Sequence, residues 1–161
     1  MKNKIEACQP ANSKLPAEIW STPGRIHRGE HLGAFPWRAL DSPRCYAGTD
    51  IFVFRTLLVW GNAFSFHLIL SGKWLKSHGF LLRPKSLAQD GWMLSVQDSP
   101  WDWTLDSTSH QPVSQFTDGE WDQWIDSHEW LKISKSHSLD QFSEIPDLGA
   151  ALWKHLAAAF Q

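Results

Sequence analysis

The chain has 161 residues, of which 42% are hydrophobic and 20% charged, with a formal net charge of −2. That make-up belongs to a globular chain with a core of its own and excludes a disordered one; two cysteines, Cys8 and Cys45, exclude a disulfide framework and suit a reducing, cytoplasmic compartment. The small net charge conceals a polarised chain, since residues 51–89 carry five Lys/Arg and no acid whereas residues 90–161 carry three Lys/Arg against twelve Asp/Glu.

Residues 1–16 are polar and slightly basic with no apolar secretory segment, and read as a flexible tail preceding a single α+β domain over 17–161. Residues 17–50, rich in glycine and proline, read as an irregular arm with one helical turn near Ala17. Within it His27-Arg-Gly-Glu-His31 fits the letter of the inverted zinc-peptidase pattern. Two imidazoles one helical turn apart need a helix, however, and Gly29, Gly33 and Pro36 deny it one. No metal and no cofactor are expected.

Ile51–Leu70 is apolar enough to suggest a membrane span, but Arg55 and the central Gly61-Asn62 pair argue for a β-hairpin instead. A two-residue Gly61-Asn62 loop pairs Arg55 with Leu68, placing Val53, Leu57, Val59, Phe64, Phe66, Leu68 and Leu70 on one face. The other face then carries Phe54, Thr56, Leu58, Ser65 and His67. Further strands are predicted at Phe80–Arg83 and Trp92–Gln97, and at Trp101–Leu105, where alternation sets Trp101, Trp103 and Leu105 opposite Asp102, Thr104 and Asp106.

Thr117-Asp-Gly-Glu120 is a capping box. It opens a helix with Trp121, Trp124, Ile125, His128 and Leu131 on one side and Asp122, Asp126 and Glu129 on the other, Trp130 pointing away from the apolar stripe. A last helix, Asp147–Phe160, stacks Leu148, Leu152, Leu156 and Phe160 one above another. The fold class is therefore α+β: an antiparallel β-meander of about four or five strands followed by two C-terminal helices.

Eleven tryptophans stand beside one tyrosine. Trp is favoured in cores, at interface hot spots and in pockets that stack flat ligands. In the acidic half, tryptophans alternate with carboxylates, which suits a non-enzymatic inhibitor- or immunity-like module: indoles supply contact energy and acids steer a basic protein partner, such as a toxin or nuclease. The expected partner surface comprises Asp102, Asp106, Asp122, Asp126, Glu129 and Trp130. The hairpin is too apolar for a base-stacking platform, so nucleic acid is not the expected partner. A ligand-binding protein or hydrolase using His67 with Thr56, or His27 with His31, is the second reading. A structural subunit of a larger assembly is the third.

Overall fold

The computed structural model describes residues 1–8 and 15–161. Two short helices, α1 (Lys2–Ala7) and α2 (Ala17–Ser21), precede a ribbon of four strands turned by three glycines. β1 (Arg25–Leu32) returns as β2 (Phe35–Ala47) through Gly33-Ala34, and β2 returns as β3 (Asp50–Val59) through Gly48-Thr49. Both loops open on a glycine at positive φ, +63° and +62°. Two-residue hairpin loops favour glycine there because their backbone twist must match that of the strands.

β3 returns as β4 (Ala63–Ser71) through three residues, Trp60-Gly61-Asn62. The turn closes by the Asn62 N–H donating to the Val59 carbonyl at 3.1 Å, with Gly61 at φ +75° in its third position. Glycine is the preferred residue at that place.

The chain continues with α3 (Lys73–His78), α4 (Pro84–Gln89), β5 (Met93–Ser95), β6 (His110–Pro112), α5 (Asp118–Ser127), β7 (Trp130–Ser138) and α6 (Ile145–Ala158). The sheet has seven strands in the order β1-β2-β3-β4-β7-β5-β6, with every neighbour antiparallel. β7, last in sequence, inserts between β4 and β5. The α+β class holds, but the simple meander followed by two helices does not, because helices and late strands alternate.

Several local expectations are corrected. The arm at 17–50 contains two long strands; of its glycines, Gly33 and Gly48 are turn residues, whereas Gly29 lies within β1 opposite Trp37. In the expected tail, Lys2–Ala7 is helical and Ile5 is fully buried; residues 9–14 lie outside the described residues. The three-residue loop shifts the hairpin register by one, so Arg55 faces His67 and Phe54 faces Leu68. Such a slip exchanges the faces of one strand relative to its partner. Phe80–Arg83 is not a strand: Gly79–Leu81 is a 3-10 turn. Trp101–Leu105 is an irregular loop, and α5 stops at Ser127. The capping box forms as expected, with the Thr117 hydroxyl accepting from the Glu120 N–H at 3.2 Å and a Glu120 oxygen accepting from the Thr117 N–H at 2.8 Å. Thr117→Ala is expected to lower stability by about 1 kcal/mol, read as a lower urea midpoint at unchanged slope.

One face of the sheet carries Phe52, Phe54, Phe66, Leu68, Leu70, Leu131 and Ile133 into a core shared with Ile5, Trp74, Trp121, Ile125, Trp153, Leu156 and Phe160. Phe52 meets Trp74, Trp153 and Phe160 edge-on at centroid distances of 6.1, 6.2 and 5.8 Å. Phenylalanine and tryptophan rings favour this geometry. Trp20, Trp74, Trp92, Trp121, Trp124 and Trp153 bury indole N–H groups that find no acceptor among the described residues. Those six tryptophans serve as core volume. Of the remaining five, Trp37 on β2 and Trp60 lie together beside β1, and Trp101, Trp103 and Trp130 belong to the two sites below.

Candidate functional site

Antiparallel register builds a polar row across the opposite face of the sheet. Asp41 on β2 pairs with Arg55 on β3, Arg55 with His67 on β4, and His67 with Ser134 on β7. His110 on β6 completes the row, its Nε2 lying 3.1 Å from the Ser134 Oγ. All five side chains are buried, so each needs its partner inside the protein.

Arg55 grips Asp41 with two nitrogens, Nε on Oδ1 and Nη2 on Oδ2, the latter at 2.6 Å. The Tyr46 hydroxyl donates to Asp41 Oδ2 at 2.8 Å. His27 Nε2 lies 3.3 Å from the same oxygen without hydrogen-bond alignment. Burial opposes the Arg55 charge, but the bonds and charge of Asp41 outweigh it and raise the guanidinium pKa. Burial, reinforced by Asp41, also raises the Tyr46 phenol.

His67 stands between two serines, with Nε2 2.8 Å from Ser65 Oγ and Nδ1 2.9 Å from Ser134 Oγ. Burial, then the charges of Lys132 and Arg55, push its pKa well below the usual imidazole value. Burial and Lys132 bring His110 down to about 4. Lys132, fully buried on β7, donates to the Asp102 carbonyl. Burial lowers its pKa to about 8, with Asp102 opposing and Arg55 adding to the shift.

The loop over residues 96–109 lies across this row. Trp103 receives the Arg55 guanidinium at 4.7 Å and the Lys132 ammonium at 5.0 Å, Trp101 meets Arg55 at 5.3 Å, and His67 meets the edge of Trp103 at 5.3 Å. A partly desolvated cation on an indole contributes roughly 0.5–2 kcal/mol, so two buried charges hold the loop down. Ser134, His67 and Lys132 have essentially no surface. Their chemistry is turned inward, towards the loop.

A second feature opens outward. At the far end of the sheet a groove of ≈ 660 Å³ runs between the β2–β3 turn, the start of α3 and the α5–β7 connection. Gly72, at φ +56°, starts α3 where a Cβ would land on the Asp50 carboxylate. That carboxylate accepts from the Lys73 N–H at 2.8 Å, so glycine alone lets the turn and the helix meet here. Lys76 reaches from α3 to donate to the Ile125 and Asp126 carbonyls at 2.7 and 3.1 Å. Its charge thus sits on the C-terminal end of α5, where cations are favoured. Trp124 and His128 stack in parallel at 3.7 Å beside it.

The six expected surface residues divide. Asp126, Glu129 and Trp130 come together on the groove wall with Ile51 and Pro100. Asp126 and Glu129 are exposed and carry no ion pair among the described residues. Asp122 pairs with Arg83 at 2.6 Å. Asp102 and Asp106 belong to the loop over the polar row. Asp102 accepts from the Thr104 N–H at 3.0 Å, which holds its carboxyl below the usual range. Asp106 accepts from Thr108 and Ser109, which bring its carboxyl down to about 2. Trp130 begins β7 opposite Ser71 instead of riding on α5.

The histidine alternatives fare differently. Thr56 and His67 occupy opposite faces of the sheet, because Thr56 pairs with Phe66 and His67 with Arg55. His27 and His31 lie on β1, and no group of three His, Cys, Asp or Glu able to hold a metal occurs among the described residues. No helix among the described residues is long and apolar enough to cross a membrane. Sequence reasoning missed the polar row entirely. Comparison with protein-family models, curated proteins and solved structures found no match to this chain.

Proposed function

We propose that the protein is a non-enzymatic binding module whose groove at Asp126, Glu129 and Trp130 receives a basic segment of a protein partner, in the manner of an inhibitor or immunity protein. The observation that carries this reading is a pair of exposed carboxylates, without an ion pair among the described residues, beside a half-buried indole on the walls of the ≈ 660 Å³ groove. Arginine and lysine side chains fit such a place. Their alkyl stems lie along Trp130, Pro100 and Ile51 while their heads meet Asp126 and Glu129. The nearby cation, Lys76, is drawn away onto the α5 carbonyls. Unpaired carboxylates speed the encounter, and a centrally placed tryptophan supplies a disproportionate share of affinity. A toxin or nuclease with a basic active surface is a partner of this chemistry, and the two unpaired cysteines suit a cytoplasmic setting.

The test is affinity capture from the native cell with wild type, an Asp126→Lys/Glu129→Lys variant and Trp130→Ala, at low and high salt. The expected result is one basic, near-stoichiometric partner, retained by wild type at low salt and lost on double charge reversal. With the partner in hand, Trp130→Ala should weaken binding by about 2 kcal/mol or more. The double reversal should slow association at least about tenfold and flatten its salt dependence. A partner held equally by all three proteins, or none at either salt, overturns the reading.

A further inference from the structure

We infer that a cleft on the polar face of the sheet, between the tip of the β1–β2 hairpin and the 96–109 loop, is a binding site for a small, uncharged, mostly apolar molecule hydrogen-bonded to the Ser65 hydroxyl. The cleft measures ≈ 440 Å³ and is walled by Phe35, Leu57, Val59, Trp103 and Leu105, with five polar residues, Ser65 and Asp106 among them, in the lining. That volume lies within the range of sites that enclose small ligands. Phe35, 43% exposed, leaves an aromatic face uncovered at the rim.

Three observations fix the chemistry of the occupant. First, Ser65 lines the cleft while its oxygen lies 2.8 Å from His67 Nε2. A hydroxyl has one donor and two acceptor positions, so after its bond to His67 it can still meet one group of a ligand. Second, Asp106 is the one ionisable side chain on the wall. Its carboxylate is turned into its own loop, accepting from the Thr108 and Ser109 N–H groups, each at 2.9 Å, and from the Thr108 hydroxyl at 2.7 Å. All three donors reach Oδ1; an anionic ligand would be repelled by this carboxylate, and a cationic one by the Lys132 ammonium against the cleft-lining Trp103 ring. Third, the cations beneath are engaged elsewhere, Arg55 on Asp41 and Lys132 on the Asp102 carbonyl, both against the Trp103 ring. A neutral molecule with a flat or branched apolar body and one hydroxyl, carbonyl or amine is the class that fits. The inference is independent of the acidic groove, which shares none of these residues.

The experiment titrates the neutral dye phenylnaphthylamine into the full chain and follows dye emission and tryptophan quenching, with its sulfonated relative anilinonaphthalene sulfonate as charge control. The expected result is saturable binding of one equivalent of the neutral dye. Ser65→Ala should weaken it about fivefold, the loss of one neutral hydrogen bond. Ala63→Trp, which fills the cleft from β4, should abolish binding with the far-ultraviolet spectrum unchanged. Trp130→Ala, in the other groove, should bind as wild type, and the sulfonated dye should bind at least tenfold more weakly. Should Ala63→Trp fail to fold, Ser65→Ala decides. Absence of saturable binding, equal binding of the sulfonated dye, or binding unaffected by Ser65→Ala overturns the inference.

Discussion

Asp41→Asn is expected to destabilise the protein by about 3–5 kcal/mol, the scale reached when one partner of a buried ion pair is removed. Asp41 is fully buried and is the only carboxylate among the described residues paired with Arg55, itself 8% exposed. Removing its charge leaves a guanidinium enclosed by β2, β4 and two indoles. The side chains that remain around it are Tyr46, which raises no opposing charge, and His67, Lys132 and His27, which are neutral or cationic. An Asp41→Asn/Arg55→Met double variant should recover most of the loss, because an apolar pair of similar volume commonly replaces a buried ion pair without penalty. Urea unfolding of the two singles and the double closes the cycle. A loss under about 1 kcal/mol in Asp41→Asn would show that Arg55 escapes to solvent in the folded protein, and the polar row would then not anchor the loop.

What the sequence shows of this fold, and what it hides, follows from distance along the chain. The capping box at Thr117–Glu120 and the leucine ladder of α6 are legible because every residue that matters lies within a few positions of the next. So is the existence of the β3–β4 hairpin. Its register is not: Gly61-Asn62 reads as a two-residue hairpin loop, yet Trp60 joins it, and one residue of slip moves Leu68 out from opposite Arg55 and His67 in. Only the true register reveals the polar row, whose members come from β2, β3, β4, β6 and β7. Trp101-Asp-Trp-Thr-Leu105 alternates like a strand, but its two indoles alternate to cover cations, not to line a core. Of the expected surface, Asp126, Glu129 and Trp130 are near neighbours in sequence and meet in the groove. Asp122 was assigned by helical side alone, and Arg83, 39 positions away, claims it.

The second large effect is acid sensitivity with an identifiable source. His67 and His110 are held neutral in the folded protein, with His110 at about 4 and His67 depressed in the same direction. An unfolded chain protonates histidine near pH 6.5. Between about 6.5 and about 4 the unfolded state therefore binds more protons than the folded one, and stability falls as pH falls through that window. Above it the two histidines contribute no pH dependence. For His110 the difference amounts to ~3 kcal/mol by the bottom of the window. The groups facing these two imidazoles explain why the folded state resists protonation: Lys132 and Arg55 are cations, Ser65, Ser109 and Ser134 are neutral, and the nearest acids, Asp102 and Asp106, are on the loop and partly offset the shift for His110 alone. Urea unfolding across the window should show uptake of about two protons on unfolding for wild type and about one for His110→Gln, whose amide can still reach Ser134. Because His67 lies against Trp103 and His110 bonds the loop at Ser109, the acid-weakened state should release the 96–109 loop first, seen as a red shift of tryptophan emission before global unfolding. Flat stability from pH 6.5 to 4 would mean that both histidines are already charged in the folded protein, and equal proton uptake in wild type and His110→Gln that His110 is, which the Lys132 charge beside both opposes.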